Sequence, residues 1–283
     1  MDADAPAEAG GDARESAAPR TLSPLGYDLA TIGVLWRRDV VRFFRERSRI
    51  AGALVQPLIF WLVIGAGMSP TFRLRGATGV GYLDYFYPGV ILMVVLFTSI
   101  FATMSVIEDR HQGFLQAVLV APGSRAAVVI GKSLGATTVA LVQAALFVAL
   151  APFVGFSVGA IDWPLLAVVI LCTSLSLSAM GFAVAWWLDS TQGYHVVMSV
   201  LLLPLWIVSG AMFPPPRAAW AQTALALDPM AYSVAGIRRA LYGGAPPPGT
   251  ILAGSSVWLE LAVTIGCAAV GIAIAIAVCI RRR

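Results

Sequence analysis

Residues 257–280 read VWLELAVTIGCAAVGIAIAIAVCI, a stretch in which Glu260 is the single charged side chain. A helix rises about 1.5 Å per residue, so this run extends roughly 36 Å. That is enough to cross a hydrocarbon core of about 30 Å. Inside lipid a helix satisfies its own backbone groups, so the run predicts a transmembrane helix. Working outward, five more runs have the same character, at 50–69, 88–107, 133–153, 164–187 and 196–213. The expected fold class is therefore an all-α membrane protein with six transmembrane helices. Composition agrees: the 283 residues are 59% hydrophobic and 12% charged, with a mean hydropathy of +0.83. A soluble domain carries about 25% charged residues.

The net charge of +4 is unevenly spread. Residues 1–20 hold Asp2, Asp4, Glu8, Asp12 and Glu15 against Arg14 and Arg20, among Ala, Gly and Pro. No apolar run follows a basic start there, so a secretory signal is not indicated, and residues 1–26 read as a disordered acidic tail. The remainder carries 17 Arg or Lys against 10 acids. These charges flank the spans instead of forming one basic face, which argues against nucleic acid as a partner. With six spans both termini share a side. Arg37, Arg38, Arg42, Arg45, Arg47, Arg49, Arg110, Arg125, Lys132 and Arg281 to Arg283 lie on that side. Arg73, Arg75, Arg217, Arg238 and Arg239 lie on the other. Twelve against five predicts that both termini are cytoplasmic.

Two segments outside the spans have structure of their own. Over Tyr27 to Arg47 and just beyond, Arg38, Arg42, Arg45 and Arg49 recur on one helical face, with Leu29, Ile32, Trp36, Val40 and Phe43 opposite. Such a helix lies in the membrane interface, either as a topogenic anchor, the reading favoured, or as a lever touching a partner through its arginines. On the outer side, Pro214 to Pro216 and Pro246 to Pro248 bracket two short helical stretches, Ala219 to Leu227 and Met230 to Tyr242. Asp228 is placed to cap the second and Pro229 to open it. The pair predicts an outer re-entrant helical hairpin.

Catalytic chemistry is sparse. Gly131-Lys132-Ser133 resembles the end of a phosphate loop, but Ala126 stands where that loop needs its first glycine. Lys132 is expected to snorkel to headgroups, with Gly131 and Gly135 permitting close helix packing. His111 and His195 fall on different loops, and Cys172, Cys267 and Cys279 sit singly in spans, with neither disulfide nor metal spacing. Glu260 is the one acid in a span; a snorkelling side chain or an interhelical hydrogen bond is favoured for it over a place in a translocation path. Thr173, Ser174, Ser176 and Ser178 read as helix-contact residues before path-lining ones.

The loop from Glu108 to Arg125 begins Glu108-Asp109-Arg110 and continues through Gly113, Phe114, Leu115, Val118 and Leu119 at helical spacing to Pro122-Gly123. A short amphipathic helix of this kind suits docking into a groove on another protein. Gly113, Leu115, Leu119, Pro122 and Ser124 resemble the signature of the ABC type-2 permease family. Ser209 to Pro214 is similar to the family's small-Gly-x-x-Phe-Pro exit. Asp228-Pro229-Met230-Ala231-Tyr232, with Arg238, is similar to its Asn-Pro-x-x-Tyr segment. Asp109, His111, Phe114 and Asp228 depart from the usual pattern.

The resemblance covers 27–283 as one transmembrane permease domain. It implies a bacterial cytoplasmic (plasma) membrane location, a homodimer or a heterodimer with a similar permease, and two copies of a separate ATP-binding-cassette ATPase. Glu108, Asp109, Arg110, Gly113, Phe114, Leu115, Leu119 and Pro122 would form the coupling helix. Arg38, Arg42, Arg45 and Arg49 would belong to the connecting helix. ATP and Mg would be used by the partner, this chain performing no hydrolysis and binding no cofactor. The cargo would be a drug, a lipid or a lipid-linked or other polysaccharide, moved outward. The competing expectation is an ion-coupled secondary transporter, with Pro57 and Pro204 breaking spans and Glu260 as carrier.

Overall fold

The computed structural model describes residues 23–69, 72, 79–214 and 218–281, with the side chains of 47–49 and 53 left aside. The acidic tail therefore falls almost wholly outside the described residues, as do Arg73, Arg75 and Arg217. Among the described residues the structure is helical, without strands. In chain order the helices are α1 (Pro24–Arg45), α2 (Arg47–Met68), α3 (Tyr82–Thr103), α4 (Ser105–His111), α5 (Phe114–Val120), α6 (Arg125–Val148), α7 (Ala151–Val154), α8 (Trp163–Trp187), α9 (Thr191–Val208), α10 (Ala219–Leu227), α11 (Pro229–Leu241) and α12 (Val257–Arg281). Six candidate spans match the six runs: Ile50–Met68, Tyr82–His111, Arg125–Val148, Trp163–Trp187, Thr191–Val208 and Val257–Arg281.

Local chemistry explains the boundaries. α8 starts where Asp162 accepts from the Leu165 N–H (3.1 Å), and α9 where Ser190 accepts from the Gly193 N–H (3.2 Å). The Ser190 cap starts the fifth span five residues before the expected position. The third span begins at Arg125 instead of 133. Lys132, taken for a membrane-surface residue, is in fact inside the helix and 1% exposed. Pro57 and Pro204 lie within α2 and α9, and both helices continue through them. The expected breaks at these prolines are not present.

α3 sits at the centre, its Tyr85–Leu96 stretch almost entirely buried against α6, α8 and α2. The chain after α9 crosses it closely. A Cβ on Gly89 would overlap the Ala211 backbone, and Gly210 takes a left-handed φ of +74°. Tyr85 donates to the Gly210 carbonyl (3.0 Å), and Trp206 Nε1 to that of Gly89 (2.9 Å). These contacts account for the small-Gly-Ala sequence at the exit of the fifth span.

α1 packs lengthwise along the first half of α6. A Cβ on Gly131 would lie 3.1 Å from the Ile32 Cα, and one on Gly135 3.0 Å from the Asp39 Cβ. The two glycines let the helix backbones approach, as their spacing predicts. The helices tie the arginine-rich segments to one end of the bundle. Arg110 reaches the Leu188 carbonyl (3.3 Å) at the end of α8, and Arg125 the Cys279 carbonyl (2.7 Å) at the end of α12. At the opposite end, α11 is inserted against α8, α12 and α3, while α10 stays largely exposed. Both short helices occur where the sequence places them, and Asp228 caps α11 by accepting from the Met230 N–H (2.9 Å).

Candidate functional site

The arginine-rich end holds a buried knot of charge. α3 continues past Met104 as α4, which carries Glu108, Asp109 and Arg110. Asp109 is 0% exposed and takes a two-pronged contact from Arg38 on α1, Nη1 to Oδ2 at 2.5 Å and Nη2 to Oδ1 at 2.7 Å. Lys132 on α6 donates to Asp109 Oδ2 and, at 2.9 Å, to Asp39 Oδ1. Arg42 binds Glu108 Oε2 at 2.6 Å and lies 3.4 Å from Asp109. Among the described residues three cations thus meet Asp39, Glu108 and Asp109, with Glu46 also 3.6 Å from Arg42. Burying such charges is tolerable only with this pairing, since an isolated ion loses several kcal/mol of hydration. Bidentate guanidinium–carboxylate geometry adds direction to the attraction.

The knot revises three sequence expectations. Lys132 does not snorkel to headgroups; it is enclosed and paired. Arg38 and Arg42 do not face outward as a free stripe, because each is engaged by α4. Arg45 is exposed, and the Arg49 side chain lies outside the described residues. Asp109, expected in the coupling helix and noted as a departure from the family pattern, is the centre of the arrangement. No local signal betrays this, since its partners lie 71 and 23 residues away in sequence.

Below the knot, Gly113 adopts φ +74° and turns the chain into α5. Phe114 lies under Arg38, whose guanidinium carbon is 3.8 Å from the ring centroid. Leu115 is 1% exposed and belongs to the chain's own core, with Val118 and Leu119 half-buried beside it. The apolar face of α5, expected to dock into another protein, is thus occupied intramolecularly. Gln116, Ala117, Val120, Ala121 and Pro122 form the exposed face, Val120 at 88%. Arg110 turns away from α5 to Asp189 (2.7 Å) and the Trp186 carbonyl (2.9 Å).

At the opposite end Glu260 is 0% exposed and pairs with Arg239 on α11, whose Nη2 is 2.8 Å from Oε1. The Ser255 hydroxyl donates to the same oxygen (2.6 Å). Of the two favoured expectations, the interhelical hydrogen bond fits this geometry. The neighbouring Arg238, quoted in the sequence with the Asp228-Pro229 segment and counted among the charges of this end, is enclosed. It is 1% exposed, with its guanidinium over the Tyr85 ring (4.5 Å) and Nη2 donating to the Tyr85 carbonyl at 3.2 Å. Its Nε and Nη1 have no hydrogen-bond partner among the described residues.

Between α8, α11 and α12 runs an apolar cleft of about 410 Å³, lined by Ser176, Met180, Met230, Val270 and Ile274. Thr173 at its wall donates to the Ser233 hydroxyl (2.9 Å), while Ser174 bonds back to the Leu171 carbonyl (3.0 Å). The first bond joins α8 to α11, and the second stays within α8. Among the described residues no three His, Cys, Asp or Glu side chains are grouped to hold a metal ion.

Known proteins place this architecture. The chain is 25% identical over 209 residues to the putative transport permease ycf38 of Cyanophora paradoxa, covering 72% of each chain. It is 25% identical over 216 residues to nodulation protein J of Rhizobium leguminosarum bv. viciae, covering 74% of this chain and 81% of that one. It is also 25% identical over 227 residues to the daunorubicin resistance ABC transporter permease protein DrrB1 of Streptomyces coeruleorubidus, covering 76% of each. Residues 30–242 match the ABC-2 type transporter family, a match that takes in α2 to α11 and all but the first turns of α1, knot and exposed α5 face included. The chain belongs to the ABC-2 type transporter family and is a multi-pass transport permease.

Proposed function

We propose that this permease is the membrane half of an ATP-driven exporter, energised by two copies of a separate ATP-binding-cassette ATPase that dock at the arginine-rich end. The observation that carries the reading is α5. It is a two-turn helix fixed on its inner side by Leu115 and Phe114, braced through Arg38 and Asp109 to α1, and open to a partner on its Gln116, Ala117 and Val120 side. A force applied to α5 would pass through the knot into α1, α3 and α6 together, because paired buried charges resist separation. ATP and Mg would be consumed in the partner.

The charge asymmetry of the two ends supports cytoplasmic termini, and the membrane would be the bacterial plasma membrane. Assembly as a homodimer or with a similar permease would complete a path. An amphipathic cargo, such as a drug, lipid or lipid-linked glycan, fits relatives whose names include a daunorubicin resistance permease. The ion-coupled alternative loses its carrier to the Arg239 ion pair. The test is a mild-detergent pull-down of the tagged chain from its host. A near-stoichiometric ATP-binding-cassette ATPase is expected with the wild type and is lost in Ala117→Asp/Val120→Asp. Folded permease recovered without such an ATPase would overturn the reading.

A further inference from the structure

We infer that the outward face of α1 is a binding site for the headgroup of an anionic phospholipid, with Arg37 and Arg45 as its phosphate-binding side chains. The face adjoins the one that joins the knot. Arg38 and Arg42 turn toward Asp109 and Glu108 and are compensated there. Arg37 and Arg45 are exposed and have no carboxylate partner among the described residues. Together these four arginines, Val34, Val41 and the acid Glu46 line a groove of about 650 Å³ with a predominantly apolar floor.

The choice of lipid over a protein occupant rests on what surrounds the two free guanidiniums. Leu29, Val34, Val41 and Phe44 are all exposed, Val34 at 62% and Phe44 at 45%. The helix that follows in sequence, α2, is a membrane span that itself exposes Val55, Ile59, Leu62 and Val63. An acidic protein surface would complement the arginines but would leave this apolar margin in water. A phospholipid satisfies both parts, its phosphate between the guanidiniums and its acyl chains along the valines and leucines. Basic side chains at an anionic membrane surface act in this way, and arginine's fork suits phosphate oxygens. The inference concerns α1 alone and stands whether or not an ATPase docks on α5.

The experiment is native mass spectrometry of the full chain in detergent, titrated with phosphatidylglycerol or with phosphatidylcholine of the same acyl chains. The wild type is expected to retain phosphatidylglycerol in preference. Affinity should fall roughly fivefold for each arginine removed in Arg37→Gln and Arg45→Gln, from about 1 kcal/mol per basic side chain. Arg37→Lys/Arg45→Lys should restore most of it. Melting temperature reports folding, and neither exposed residue touches the knot. Equal retention of the two lipids by the wild type would overturn the site. So would unchanged phosphatidylglycerol binding in Arg37→Gln/Arg45→Gln. Burial of the α1 face by a co-purified ATPase or a second copy, with no lipid retained, would assign the groove to a protein instead.

Discussion

The two ends of the bundle bury charge in opposite ways. At the arginine-rich end three cations and three carboxylates from α1, α4 and α6 close on one another around Asp109. At the other end Arg239 has Glu260, while Arg238, next in sequence and 1% exposed, has among the described residues carbonyl oxygens and Tyr85 for partners and no carboxylate. A compensated network becomes expensive once a single member is removed, because the others keep their burial and lose their counter-charge. An uncompensated cation carries its own desolvation cost already. The knot therefore behaves as a rigid joint, and Arg238 as a residue whose removal relieves about as much as it forfeits.

The contrast can be broken at its strongest point with Asp109→Ala, which leaves Arg38 and Lys132 facing each other. Thermal unfolding in detergent should show a loss of about 3–5 kcal/mol, and Lys132→Met in the same chain should recover part of it. Glu260→Gln should cost about 2 kcal/mol, since Arg239 retains the amide oxygen, the Ser255 carbonyl and partial exposure. A double-mutant cycle with Arg239→Gln isolates that coupling. Gly135→Ala presses a methyl against the Asp39 Cβ and should cost about 1–2 kcal/mol, loosening α1 from α6 and with it one side of the knot.

Asp228 offers a pH test at the end opposite the knot. Burial raises its carboxyl to about 6, against 3.8 for a free aspartate. Its Oδ2 atom has no partner among the described residues. Because the folded value is the higher one, this contribution is complete below about pH 4 and declines as pH rises through about 6. Asp228→Asn keeps an oxygen for the α11 cap and should flatten that decline, a difference on the order of 1 kcal/mol near neutral pH. The smallest effect is expected for Arg238→Met, within about 0.5 kcal/mol of the wild type. A loss as large as that of Asp109→Ala would erase the contrast between the two ends.

The sequence made the helices legible and left the charges largely hidden. Apolar runs of 18 to 24 residues mark spans regardless of context, and Asp228-Pro229 announces the start of α11 by local chemistry alone. Gly131 and Gly135 likewise revealed a close helix contact, though not that α1 makes it. Ion pairing is different. Arg38 with Asp109, or Lys132 with Asp39, joins residues 71 and 93 positions apart, and nothing in either neighbourhood names the other. Lys132 taken alone reads as a surface residue, which moved the expected start of the third span eight residues too late. For α5 the amphipathic pattern identified the helix, but periodicity cannot say whether an apolar face meets a partner or the chain's own core. Here Leu115 meets the core.

The central claim is that a partner ATPase drives this permease through the exposed side of α5 and the knot behind it. It is tested most directly by ATP hydrolysis in the reconstituted complex, comparing the wild type with Ala117→Asp/Val120→Asp, whose substitutions lie on the exposed side and spare Leu115. The account predicts an ATPase that co-purifies with the wild type and is stimulated by it, and a variant of unchanged melting temperature that neither binds nor stimulates it. Full binding and stimulation by the variant would contradict the account.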